Sequence, residues 1–108
     1  MPKDLISNLD KAFNHKIRLG IMSLLMVNDW VDFNSLKHNL GDLNDGTLAS
    51  HIRGLEKINY LEVRKQFIGR KSNTSYRASK LGTQAFENHL DALEALLQMS
   101  KGTAEEEE

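Results

Sequence analysis

Asp45-Gly46-Thr47-Leu48-Ala49-Ser50-His51-Ile52-Arg53-Gly54-Leu55-Glu56-Lys57-Ile58-Asn59-Tyr60-Leu61 presents two opposed faces. Leu48, Ile52 and Leu55 recur at i, i+4 and i+7, the spacing that stacks side chains along one side of an α-helix. At about 100° per residue the opposite side carries Ser50, Arg53 and Lys57, with Gly46, Thr47 and Gly54 at its borders. The spacing predicts a helix from about Asp45 to Ile58, apolar on one side and small, polar and basic on the other. Asn59 tolerates the left-handed conformation that ends many helices, and Tyr60-Leu61 can pack back on the last turn.

Downstream the period drops to two. Leu61, Val63, Lys65 and Phe67 alternate with Glu62, Arg64, Gln66 and Ile68, and a second alternating run, Thr74 to Ser79, carries Tyr76 and Ala78 on one face. Gly69-Arg70-Lys71-Ser72-Asn73 between them has turn composition, so the two runs read as a β-hairpin with a basic tip. Ser79 then caps a helix bearing Leu81, Ala85, Phe86, Leu90, Leu93, Leu96 and Leu97. From Gly102 onward the chain is expected to be disordered, residues 101–108 forming an acidic tail.

Upstream, Asp42-Leu43-Asn44-Asp45 is a tight polar turn with one apolar plug, preceded by a helix that Asn34 would cap and Gly41 would stop. Helix, short turn, helix is the resulting motif. Trp30-Val31-Asp32-Phe33 suits a very short strand. Before it, Asn14 would cap a helix with Ile17, Ile21, Leu24 and Leu25 as its buried stripe, ending near Asn28-Asp29. Leu5, Ile6, Leu9 and Phe13 predict a first short amphipathic helix. The fold class is therefore α+β and mostly helical: a winged helix-turn-helix in which the hairpin is the wing, with extra helices at both ends, all within residues 1–100. A chain of 108 residues builds one core of this size, not two.

Composition excludes several functions. The absence of cysteine removes disulfides, thiolate metal sites and a cysteine nucleophile. Ile21 to Val27, broken by Ser23, is far short of the roughly 20 apolar residues of a membrane helix, and Met-Pro-Lys-Asp carries no leader pattern, so the expected location is cytoplasmic. The net charge of −1 averages two poles: residues 45–80 hold eight Lys/Arg against three Asp/Glu, while residues 81–108 hold one against seven. The +5 segment coincides with the polar helix and the hairpin, and placement of charge says more than its total.

A basic helix face followed at once by a basic-tipped hairpin matches duplex DNA, whose major groove, about 12 Å wide, admits one helix. On this reading Thr47, Ser50, Arg53 and Lys57 face base edges and nearby phosphates, and His51 at the border packs beside the core or bonds a phosphate. Arg64, Arg70, Lys71 and Arg77 supply backbone contacts or minor-groove insertion. A winged-helix module that contacts another protein through the same surfaces is the alternative. His15, His38, His51 and His89 lack helical ligand spacing, so no metal or other cofactor is expected. With no Gly-rich phosphate loop and no nucleophile beside a positioned base, an enzyme is not expected either.

The run Ile17-Arg18-Leu19 with Ile21 and Leu24-Leu25, then Phe33-Asn34-Ser35-Leu36-Lys37, then Asp45 to Ile52 with Leu55, resembles the stand-alone winged-helix regulators of the MarR and ArsR type. Tyr76-Arg77-Ala78-Ser79 with Gly82 is similar to that type's second wing strand and the start of its closing helix. The resemblance covers about residues 13–90, is most specific over 45–61, and implies a dimeric DNA-binding transcriptional regulator. Two features depart from it: no cysteines for a thiolate sensor, and Asn59 where Gly is frequent. The chain is also shorter than typical MarR proteins, which leaves a small-molecule effector unassigned. The terminal helices carry more leucine and isoleucine than one small core needs, so they are expected to pair two copies into a C₂ homodimer.

Overall fold

The computed structural model describes residues 6–106. Leu5 of the first predicted helix and the end of the acidic tail, Glu107-Glu108, lie outside the described residues. The order of elements is α1 (Lys16–Val27), β1 (Val31–Asp32), α2 (Phe33–Asn39), α3 (Asp45–Lys57), β2 (Leu61–Ile68), β3 (Lys71–Ala78) and α4 (Lys80–Glu106), preceded by a 3₁₀ turn at Lys11–Phe13. The architecture is the mostly helical winged helix expected from the pattern.

The first segment departs from expectation. Within residues 6–13 there is no α-helix, only turns and the 3₁₀ turn. Asp10 sits inside the apolar pattern and acts as a cap there, its carboxylate accepting from Ala12 N at 2.9 Å. A stretch this short gains too little from propagation to outweigh such a competing local bond. Phe13 is nonetheless buried, edge-on to Phe86 at 5.0 Å and stacked on Tyr60 at 5.6 Å.

Cap positions also shift. His15, not Asn14, caps α1, its Nδ1 accepting from Ile17 N at 3.1 Å, and Asp32, not Asn34, caps α2 by accepting from Ser35 N at 2.7 Å. Asn44 caps α3 through its Oδ1, which takes both the Gly46 and Thr47 amides. Gly41 and Asp42 turn the chain between α2 and α3 with φ of +97° and +56°. Asn59 takes the left-handed conformation at φ +64°, and Tyr60 N folds back to Leu55 O at 3.0 Å.

The three strands form one antiparallel sheet in the order β1-β3-β2, with Leu61 opposite Ala78 and Ile68 opposite Lys71. Lys71, Ser72 and Asn73, expected in the turn, are paired in β3, and the loop is only Gly69-Arg70. Gly69 holds φ +67° at the first turn position, where a two-residue hairpin loop calls for glycine. The core joins Ile21, Met22 and Leu25 of α1, Leu36 of α2, Leu48, Ile52 and Leu55 of α3, Leu61 and Tyr76 of the sheet, and Phe86 of α4.

One junction fixes how α4 leaves the domain. Ser79 Oγ donates to Asn59 O at 2.6 Å and accepts from Gly82 N at 2.9 Å, so the cap of α4 is also bound to the end of α3. Gly82 lies against the Tyr60 carbonyl so closely that a Cβ would overlap it. Helical geometry in α4 continues past Gly102 to Glu106; a single glycine costs a helix only about 1 kcal/mol.

Candidate nucleic-acid interface

The apolar side of α3 is spent on the core, since Leu48, Ile52 and Leu55 are all buried. Burial of that side dictates what is left outside. Thr47, Ser50, Arg53 and Lys57 are exposed and form one continuous stripe along the helix. Thirteen residues of helix measure about 20 Å, enough to follow a groove over several base pairs. Lys37 of α2 pairs with Asp45 at the start of α3 at 2.9 Å, a bond that raises the Lys37 pKa.

His51 does not join this stripe. It faces α1, where Arg18 Nε donates to its Nδ1 at 3.1 Å and the His15 ring lies 4.2 Å away, centroid to centroid. Partial burial, followed by the His15 and Arg18 charges, lowers the His51 pKa. The imidazole is thus a neutral acceptor that fastens α3 to α1.

Four of the five cations of the wing fall into two groups, with the exposed Lys65 between them. Arg70 and Lys71 stand exposed at the tip, and no ion pair among the described residues engages them. Arg64 and Arg77 instead lie at the base of the ribbon. Their guanidinium carbons sit 4.4 and 4.6 Å from the Trp30 ring centre, a double cation–π arrangement. Arg77 Nε also donates to Glu62 at 2.6 Å, and its Nη1 is 3.7 Å from Asp29; the bond to Glu62 is the main reason its pKa is raised. Among the described residues Arg64 has no carboxylate partner, and its buried Nε has no hydrogen bond. The sequence alone does not reveal Trp30 as the platform for these two arginines, because they are 34 and 47 positions away. The short alternating run Trp30 to Phe33 is the local signal, but only the strand register, Val31 opposite Tyr76, places Trp30 beside Arg77.

A shallow cleft of about 480 Å³ opens beside this column, between the base of the wing and the first turns of α4. Its walls include Asp29, Glu62 and Glu87 against Arg77 and Lys80, a mixed polar lining. The remaining histidines are dispersed: His89 is buried against Phe13 and accepts from Asp10 N, while His38 stands near Asp42 at 3.4 Å. Among the described residues no three His, Asp or Glu side chains converge on a metal-sized site, and no helix is long and apolar enough to cross a membrane.

Residues 17–97 match the family described as winged helix DNA-binding domain. This chain belongs to that family. The match takes in every element from α1 to most of α4, including the whole exposed stripe and the wing. A relative of this winged helix, an uncharacterised protein of Methanocaldococcus jannaschii, is 34% identical over 91 residues, spanning 84% of this chain and 95% of its own length. The transcriptional regulator homologue protein of Pyrococcus horikoshii has a similar structure, with a TM-score of 0.77 at 27% identity over 89% of this winged helix and 92% of that chain. A candidate MarR-family transcriptional regulator of Enterococcus faecalis shares the fold at a TM-score of 0.65 and 19% identity, over 97% and 86% of the two chains.

Proposed function

We propose that this winged helix is a homodimeric transcriptional regulator that reads double-stranded DNA with α3 in the major groove and sets its wing on the flanking backbone or minor groove. The observation that carries the reading is the stripe Thr47, Ser50, Arg53 and Lys57, exposed along α3 and bordered by a wing whose tip cations are in no ion pair among the described residues. An α-helix with side chains is about 10–12 Å across, the width of the major groove. Arg53 and Lys57 are the base-edge and phosphate contacts nearest the groove floor, with Arg70 and Lys71 on phosphates. Arg64, oriented by Trp30, reaches the backbone beside them, while Arg77 acts chiefly by holding that column together. His51 serves by fixing the helix that carries the stripe. The likeness to the Pyrococcus horikoshii regulator homologue supports the regulatory role, which is one of binding rather than catalysis and is exercised where the DNA is, in the cytoplasm.

The dimer rests on α4. Phe86, His89 and Ala92 face the core, whereas Leu90, Leu97 and Met99 are exposed at 43%, 59% and 51%. Leu90 and Leu97 are two helical turns apart, a stripe suited to a second copy of itself. Two recognition helices would then meet half-sites about 34–36 Å apart.

Titration of duplex DNA at a series of salt concentrations tests the reading. The logarithm of the binding constant should fall steeply with that of salt, with a slope near −0.9 per phosphate neutralised. Arg53→Ala and Lys57→Ala should each weaken binding and make the slope shallower by about one phosphate. Salt-independent binding, or full affinity in both variants and in Arg70→Ala with Lys71→Ala, would assign these surfaces to a protein partner instead.

A further inference from the structure

Phe67 and Ile68, the last two residues of β2, are 78% and 66% exposed at the end of the wing, among the most exposed large apolar side chains in the described chain. Nothing in the fold requires them to be apolar. Leu90 and Leu97 also lie exposed but form the proposed partner stripe of α4, and Leu81 and Met99 are exposed elsewhere on that helix, whereas the wing pair stands apart at the far end of an eight-residue ribbon. Their cross-strand neighbours, Ser72 and Lys71, leave them uncovered. As consecutive strand residues they project from opposite faces of the ribbon.

The surroundings say what covers them. Lys65 shares the Phe67 face, Lys71 shares the Ile68 face, and Arg70 forms the turn between; none of the three is in an ion pair among the described residues. An apolar point ringed by unpaired cations complements a surface that is anionic at its rim and apolar within. The DNA minor groove has that character: phosphates line both edges, and the sugar faces and base stack lie between.

We infer that Phe67 is a wedge that enters the minor groove and opens a base step, with Ile68 against the sugar wall and Lys65, Arg70 and Lys71 on the bordering phosphates. This rests on the DNA-binding reading above. The wedge makes the wing a bending device, selecting sites by how easily a step unstacks rather than by hydrogen bonds to base edges. Steps of the TA type yield most readily.

The test uses the full chain and a duplex of about 20 base pairs carrying 2-aminopurine at a central TA step, at low salt. Binding should raise 2-aminopurine emission, which reports unstacking. Phe67→Thr, which keeps strand propensity and should melt with the parent chain, should lose that rise and bind roughly tenfold more weakly. Its salt slope should not change, because no cation has been removed. Phe67→Leu, which keeps an apolar tip, should retain the rise in part. The wedge is overturned if the parent chain binds without raising emission, or if Phe67→Thr keeps both the rise and the affinity. In either case the DNA reading stands as long as Arg53→Ala still weakens binding. A parent chain that ignores the duplex and binds anionic lipid vesicles overturns both readings together.

Discussion

The Tyr60 hydroxyl donates to Asp10 Oδ2 at 2.6 Å, joining the segment before α1 to the residue that links α3 to the wing. Burial, then this hydrogen bond and the Asp10 charge, push the Tyr60 pKa up to about 12. A phenol held protonated in the fold contributes stability that is complete below its unfolded pKa, near 10, and is lost as pH rises through 12. Thermal melts from pH 8 to 11 should therefore show the parent chain losing stability above about pH 10, and Tyr60→Phe showing less of that loss. Parallel profiles for the two proteins would mean that the bond contributes nothing.

His51 gives the opposite dependence. Its pKa is lowered in the fold, so its contribution is present above the ordinary histidine value of about 6.5 and fades as pH falls below it. Protonation would place a hydrogen on the nitrogen that accepts from Arg18 and a charge beside His15. The site is partly solvated, so the effect is modest, on the order of 1–2 °C in melting temperature between pH 7 and 5.5. His51→Gln, which keeps an acceptor but does not titrate, should reduce the acid-side slope. An unchanged slope would show that His51 is not its source.

Gly82→Ala should be costly out of proportion to its size. The added methyl meets the Tyr60 carbonyl, a backbone atom that cannot rotate away, so α4 must shift from the end of α3. A loss of about 2 kcal/mol, or roughly 10 °C in melting temperature, is expected. Retention of the parent melting temperature would mean that the junction is looser than its geometry indicates.

Replacing Leu90 and Leu97 together by Asp should separate copies of the chain without unfolding it, because both side chains are exposed within a single copy. Sedimentation velocity at micromolar concentration should show the parent as a dimer and the variant as a monomer with the same far-ultraviolet circular dichroism. A monomeric parent removes the α4 interface.

Local pattern made most of this architecture readable. Leu48, Ile52 and Leu55 determine which side of α3 is buried and hence that Ser50, Arg53 and Lys57 are outside, and Asn59 announces the left-handed turn that launches the wing. What escaped reading depends on competition or on distance. Asp32 and Asn34 are both good caps, and only the helix phase selects between them. Lys71, Ser72 and Asn73 have turn composition, yet pairing with Ile68, Phe67 and Gln66 draws them into the strand once Gly69 closes the loop in two residues. His51 sits at the border of its helix wheel, and nothing local shows that Arg18, 33 positions earlier, takes its free nitrogen.

The bonds from Ser79 to Asn59 and Gly82, with Gly82 against Tyr60, couple the end of α3 to the beginning of α4 without a hinge. In a dimer paired along α4, each protomer would act as a stiff arm with the reading head at one end and the pivot at the other. The distance between the two heads would then be governed by a single angle, the one at which the long helices cross. A few degrees at that pivot become ångströms at the DNA, so such a protein would behave as a caliper whose jaws are set far from the surface they measure.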